Sequence, residues 1–394
     1  MPPAIALGLF YAALFVGGGA SLPFMPLWFK AQGLSGPEIG VILAAPYFGR
    51  TLAGPALALW ADGFRLRRTP MIWMGAGAAV AFAAVGFLHG FWGWLIAWLT
   101  GSILLGMLSP LADVIALRRS RRDGFAYGLP RGIGSAGYVF GNVVMGAVML
   151  RAPVVSVLVW TIAAAALASL SARLLLPREL VHESGEIPAR ADLMRSLGGL
   201  LRDPVFMLAI GSTGLIQASH GFYYGFSTLL WRRQGVPENL IGLLWGAGVG
   251  TEVLFMWFLE PWRRRVGPAR LLIAGGIAAV VRWAALALSP PALFLFPIQA
   301  LHALTYAATF FASLRLIEQL SPPESASAAQ TLNSVFSGGL MMGAVTLASG
   351  PMFEAWGFKG YLAMTAIAGL GLAGAAVLAG RLGRLGARGL TPHR

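Results

Sequence analysis

The stretch Ile241 to Phe258, IGLLWGAGVGTEVLFMWF, constrains this chain more than any other, because eighteen residues run on with Glu252 as their only charge. At about 1.5 Å rise per residue, a helix of that length crosses most of the roughly 30 Å of bilayer hydrocarbon. A carboxylate deep in such a helix costs about 2.5 kcal/mol or more to insert, so it marks a functional site and needs a partner.

The pattern recurs along the chain. Apolar segments fall near 4–29, 39–61, 70–88, 91–117, 126–150 and 152–176, and again near 205–231, 237–260, 269–288, 291–320, 325–353 and 360–380. Only 11% of the residues are charged, against about 25% in soluble proteins. The expectation is an all-α membrane protein with twelve transmembrane helices. The first apolar segment is too long for a signal-peptide core and lacks a basic leader, so no removable signal is expected. With no cysteine in the chain, disulfides and thiolate metal sites are excluded.

The net charge of +14 has two readings, a nucleic-acid surface or the positive-inside bias of membrane loops. Position decides. Arg65, Arg67 and Arg68, then Arg118, Arg119, Arg121 and Arg122, then the 177–204 connection, Arg263, Arg264, Arg265 and Arg270, and the tail with Arg381, Arg384, Arg388 and Arg394 fall in alternate loops. The opposite loops carry only Lys30, Arg151, Arg232, Arg233 and Lys359. Both termini and the central connection are therefore expected in the cytoplasm of a bacterial-type inner membrane, with no nucleic-acid partner.

A shift of about 202 residues superposes the halves. Gln32-Gly33 falls on Gln234-Gly235, Ile39-Gly40 on Ile241-Gly242, and Ser135, Gly137 and Gly141 on Ser337, Gly339 and Gly343. The expected organisation is an N-terminal six-helix bundle over 1–176, a cytoplasmic linker over 177–204 and a C-terminal six-helix bundle over 205–394. Parallel repeats of this kind hold a solute near the midplane and rock about it. His182, Glu183 and Glu186 in the linker suggest a metal site only weakly, because no second ligand cluster supports them. No metal, cofactor or enzymatic activity is expected, and nothing demands more than a monomer.

Charged residues also stand inside the spans: Arg50, Asp113, Arg131, Glu252 and Arg282, with His220 and His302. As a set they neutralise one another only if they face a common polar interior. A carboxylate in a low-dielectric site holds its proton more tightly, and a nearby arginine makes it release it, so solute and proton occupancy become linked when solute competes for the arginine. Two motifs mislead. Gly132-Ile-Gly-Ser-Ala-Gly137 fits GxGxxG but no strand precedes it, and Gly137 with Gly141 reads as a helix-packing pair. No GxSxG elbow supports hydrolysis.

These residues resemble the major facilitator superfamily. Trp60-Ala-Asp-Gly-Phe-Arg-Leu-Arg-Arg68 is similar to its acidic-then-basic loop, which implies a conformational role for Asp62, Arg67 and Arg68. More narrowly, Pro110-Leu-Ala-Asp113, Tyr127-Gly-Leu-Pro-Arg131, Ser219-His-Gly-Phe-Tyr-Tyr-Gly-Phe226, Thr251-Glu252, Val281-Arg-Trp283 and Leu301-His-Ala-Leu-Thr305 resemble the 3-phenylpropionate permease group, relatives of the lactose-permease-type proton symporters. The resemblance implies that Asp113, Arg131 and Glu252 form a substrate and coupling cluster, with Arg282 and His302 in a proton-linked network. Those symporters place an acid one turn after the span-ten histidine; Ala303 to Ala308 holds none.

The expected activity is proton-coupled uptake of a small organic solute, first an aromatic acid. Tyr223 and Tyr224 are candidates to stack on its ring and Arg131 to take its carboxylate. A sugar or nucleoside symporter, served by polar residues such as Gln217, Asn142 and Gln299, is the rival, and a drug or lipid exporter the third reading. Arg131 is the expected partner of Glu252.

Overall fold

A computed structural model of the chain describes residues 1–181, 197–322 and 325–387. His182, Glu183, Glu186, Arg388 and Arg394 lie outside the described residues. Apart from one isolated antiparallel bridge, Leu66 to Leu180, the described structure is helical. The reason is elementary: segments apolar on every face meet no water, so each backbone N–H and C=O must be satisfied within its own helix.

The helices are α1 Pro3–Ala31, α2 Gly36–Asp62, α3 Arg68–Phe87, α4 Phe91–Asp123, α5 Gly128–Val148, α6 Val155–Leu175, α7 Pro204–Ala218, α8 Gly221–Arg233, α9 Glu238–Phe258, the short α10 Glu260–Val266, α11 Pro268–Ala287, α12 Ala292–Ala300, α13 Thr309–Leu320, α14 Ala326–Asn333, α15 Met342–Trp356 and α16 Gly360–Ala387. Two π-helical segments, Ala303–Ala308 and Ser334–Met341, join α12 to α13 and α14 to α15. Local chemistry sets several ends. Ser35 and Glu38 close a capping box at the start of α2, and the Asp203 carboxylate caps α7 through the N–H groups of Val205 and Phe206. Gly124, at φ +74°, ends α4 in the left-handed region.

Among the described residues, nine helical stretches are long and apolar enough to cross a membrane, and the protein is an all-α, multi-pass membrane protein. Three of the expected twelve spans are not separate members of this set. α2 and α5, of 27 and 21 residues, are absent from the nine. The last stretch, Ala328–Arg384, runs 57 residues and takes in two of the apolar segments read above.

The chain groups into two compact units, Met1–Gly185 with Tyr224–Val249, and Glu186–Tyr223 with Gly250–Arg394. In the first, α1 packs on α5 and α6, α3 on α4 and α6, and α2 on α4. In the second, α7 packs on the Ser334–Met341 segment and α16, and α11 on α13 and α16. Moved by the 202-residue shift, the pairings of α1 and α3 become those of α7 and α11. The α1–α5 crossing shows why the small residues recur: a Cβ at Gly137 would meet the backbone of Ala12, and one at Gly141 the backbone of Val16. Gly137 and Gly141 therefore pack helices and cradle no dinucleotide.

Candidate functional site

Each unit holds an ionic cluster among its apolar helices. In the first, Asp113 sits on α4, three residues after Pro110, and its Oδ1 gathers the donors. Tyr11 of α1 donates to it, Tyr127 donates at 2.8 Å, and Arg131 Nη1 stands at 3.5 Å. The same Nη1 donates to Ser109 Oγ at 3.2 Å. The guanidinium lies 5.2 Å from the Tyr11 ring centroid and 5.1 Å from that of Phe15, within reach of a cation–π attraction. Both charged side chains stay partly open, 37% for Arg131 and 31% for Asp113. Asp113 Oδ2 and Arg131 Nε and Nη2 have no hydrogen-bond partner among the described residues, so the cluster keeps both acceptor and donor capacity.

The second cluster is closed. Glu252 of α9 receives His302 Nε2 at 2.8 Å. Arg282 of α11 donates from Nη1 to His302 Nδ1 at 2.6 Å and to Thr305 Oγ1 at 3.1 Å, and from Nη2 to Gln299 Oε1 at 2.8 Å. Gln299 in turn donates to the Tyr223 hydroxyl at 2.6 Å. The Arg282 guanidinium lies 4.7 Å from the ring centroids of both Tyr223 and Trp283. Arg282, Gln299 and Thr305 are fully buried, and Glu252 is 7% exposed. A buried arginine is tolerable here because Glu252 stands beyond His302 and because Nη1 and Nη2 donate to His302, Thr305 and Gln299.

The hydrogen bonds fix the protons. An arginine N–H only donates, so His302 Nδ1 accepts and its hydrogen is on Nε2, facing the Glu252 carboxylate. His302 is thus a neutral imidazole bridging the Arg282 guanidinium and the Glu252 carboxyl group. Glu252 Oε2 has no hydrogen-bond partner among the described residues.

Local sequence explains the positions. Gly275 and Gly276 let α11 approach its neighbours: a Cβ at Gly275 would meet Thr309 and the Leu304 carbonyl, and one at Gly276 would meet Leu372 and Ile216. That close packing leaves Arg282, two turns on, in the interior. Pro297 lies inside α12 and removes a backbone donor, and the chain turns at Leu301 before the π segment that holds Thr305.

The expected residues divide between the clusters. Asp113 and Arg131 meet in one, and Glu252, Arg282, His302 and Tyr223 in the other. Gln217 reaches the backbone carbonyl of Tyr306 at 3.1 Å and so borders the second. Tyr224 points elsewhere and stacks on Trp245, centroids 6.2 Å apart. Within the second unit Glu252 takes His302 as a partner, and within the first Arg131 takes Asp113 and Ser109. Arg50 bonds its own helix, Nε to Pro46 O at 3.3 Å. Asn142 is buried and donates to the Tyr138 carbonyl. At the loop between α2 and α3, Arg67 donates to the Val181 carbonyl at 2.7 Å and Arg68 to that of Arg173 at 2.9 Å, while Asp62 is exposed. Sequence reasoning missed Tyr11, Tyr127, Ser109, Gln299 as an arginine ligand, and Thr305. Tyr127 lay inside a quoted motif and Tyr11 carried no signal beyond a hydroxyl in an apolar span.

The sequence matches the family described as MFS_1 like family over residues 4–361. It is 26% identical over 374 residues to a probable 3-phenylpropionic acid transporter of Escherichia coli (strain K12), covering 92% of this chain and 94% of that protein. To a maltose permease of Geobacillus stearothermophilus it is 28% identical over 357 residues, 88% of this chain and 87% of that one. The fold is that of a nucleoside transporter crystal structure, with TM-score 0.85 at 14% identity, covering 95% of this chain and 99% of that chain.

Proposed function

The chain belongs to the MFS_1 like family and is a secondary active transporter of a small solute, and from that premise we propose that it is a proton symporter for a neutral, hydroxyl-rich solute, a sugar or a nucleoside. The observation that carries this reading is the charge balance of the clusters. Arg131 already faces Asp113, and Arg282 is already tied to Glu252 through His302. Neither leaves an uncompensated cation for a solute carboxylate. What is left over in the open cluster, Asp113 Oδ2 with Arg131 Nε and Nη2, is acceptor and donor capacity of the kind that hydroxyls complement. Tyr11 and Phe15 supply an apolar wall for the face of a sugar ring or base.

Glu252 is the group we assign to the proton. A proton arriving at Oε2 leaves the bond from His302 to Oε1 in place, so the cluster loses its negative charge without losing a hydrogen bond, and Arg282 is released from its balance. Counting α2 and α5 as spans and dividing Ala328–Arg384 into two gives twelve spans, with halves over 1–176 and 205–394, a linker over 177–204 and both termini cytoplasmic in an inner membrane. Asp62, Arg67 and Arg68 serve the conformational change rather than the solute.

A second reading, uptake of an aromatic acid, is favoured by the likeness to the probable 3-phenylpropionic acid transporter. It requires Arg131 to leave Asp113 for the solute. Uptake of labelled sugars, nucleosides and aromatic acids into right-side-out vesicles, with and without a proton gradient, separates the two. Gradient-driven accumulation of a neutral solute supports the first; accumulation of the aromatic acids alone overturns it.

A further inference from the structure

His220 has no part in the mechanism above, yet it is fully buried and its surroundings are built for it. It occupies the turn between α7 and α8, in the middle of an otherwise continuous apolar stretch. Its Nδ1 lies 2.9 Å from the Gln217 carbonyl, which only accepts, so that nitrogen carries a hydrogen. Its Nε2 lies 3.0 Å from Thr305 Oγ1, and that hydroxyl takes a hydrogen from Arg282 Nη1 at 3.1 Å. Thr305 therefore directs its own hydrogen to His220 Nε2. The carbonyl of His302 stands 3.4 Å from the same hydroxyl.

We infer that His220 is a second proton-binding group of the transport cycle, switched through the hydroxyl of Thr305. A proton adds to the lone pair on Nε2, which then donates to Thr305 Oγ1. The threonine hydrogen turns from Nε2 to the His302 carbonyl, and Nδ1 keeps its bond to Gln217. No heavy-atom bond forms or breaks, every donor retains an acceptor, and the imidazole gains one positive charge. Loss of the proton reverses each move. His302 has no such freedom, because a proton on its Nδ1 would expel Arg282. The turn after His302 offers no acid, and Thr305 stands there as the rotor that connects His220 to the cluster.

The titratable and charged groups around His220 are Arg282 from α11, His302 and Tyr306 from the π-helical stretch and its start, and Tyr223 from α8, with Glu252 one residue beyond His302. Ring centroids of His302 and Tyr306 lie 5.2 and 6.0 Å away, and that of Trp283 4.9 Å. Arg282 touches Thr305 directly, so the charge on His220 and the engagement of Arg282 are coupled through one hydroxyl.

The inference rests on the proton-coupled reading but is tested without any solute. Infrared difference spectra of the full-length protein in lipid, with isotope-labelled histidine, are recorded on acidification from about pH 9 to about pH 4, a range that brackets ordinary and strongly shifted imidazoles. The wild type gives an imidazolium signal that His220→Gln lacks, while the Glu252 carboxyl band persists in that variant and reports an intact cluster. Thr305→Val, which removes the rotor, abolishes the same signal or moves it by at least about one pH unit, and Thr305→Ser preserves it. Identical histidine signals in the wild type and His220→Gln overturn the inference, as does an unchanged signal in Thr305→Val. Either failure leaves the symport reading standing, and failure of the solute panel leaves these spectra interpretable.

Discussion

At the scale of single residues, the two arginines do different work for a physical reason. Arg131 is held at 3.5 Å from its carboxylate and is more than a third exposed, so the pair contributes little to stability and is free to exchange partners with a solute. Arg282 is sealed, and removing it strips His302, Thr305 and Gln299 of a buried donor. Arg131→Ala should weaken solute binding by about ten- to a hundredfold, the value of a charge-assisted hydrogen bond of about 1.5–3 kcal/mol, with little change in thermal stability; unchanged affinity in a binding titration would argue against it. Arg282→Ala should instead lower the yield of folded protein. The sequence made the intramembrane charges visible but not their pairing. Which carboxylate an arginine meets depends on the helix face that turns toward it, and no local pattern tells that Glu252 finds His302 within its own unit or that Arg131 finds Asp113 within the other. Tyr11 and Tyr127 were hidden because a tyrosine in an apolar span looks like packing until its hydroxyl finds Asp113.

At the scale of elements, the small-residue crossings and the capping box carry the testable content. A Cβ at Gly137 meets the Ala12 backbone, whereas one at Gly211 meets nothing within 4 Å. Gly137→Ala should therefore destabilise by about 1–3 kcal/mol, and Gly211→Ala should be neutral or stabilising by up to about 1 kcal/mol, read as thermal midpoints in detergent. At the start of α2, the Ser35 hydroxyl and then its backbone N–H hydrogen-bond the Glu38 carboxylate and hold it below the usual range. A depressed carboxylate adds stability that is fully present above about 4.5, its ordinary value, and is lost as pH falls through the lower folded value. Glu38→Gln should flatten that acid-side loss, and a wild-type stability that rises on acidification would contradict the sign. The apolar segments were legible because length and hydropathy are local. The turn at Ser219-His220, the π segments and the Leu66–Leu180 bridge were not, since each is a response of the backbone to packing that no local pattern encodes.

At the scale of the molecule, the duplication links sequence to fold. The 202-residue shift finds the same glycines and serines in both halves, and the α1 and α3 pairings return as those of α7 and α11. The charges diverged while the packing was kept: Arg50 maps to Glu252 and Asp113 to Arg315, so each half has its own ionic cluster in a shared helical frame. The loop charges, summing with the rest to +14, set the expected topology. Because the chain has no cysteine, single cysteines at Arg122 and Arg151 should label from opposite sides of the membrane, the first only after permeabilising right-side-out vesicles. Labelling of both from one side would overturn the orientation.

The central claim is that Glu252 carries the proton that moves with solute. Purified protein in liposomes, given an inward solute gradient and no pH gradient, should draw protons inward as solute enters, seen as alkalinisation of the medium. Glu252→Gln should exchange solute across the membrane at near wild-type rate while moving no protons. Proton influx that persists in Glu252→Gln, or solute entry without proton movement in the wild type, would contradict it.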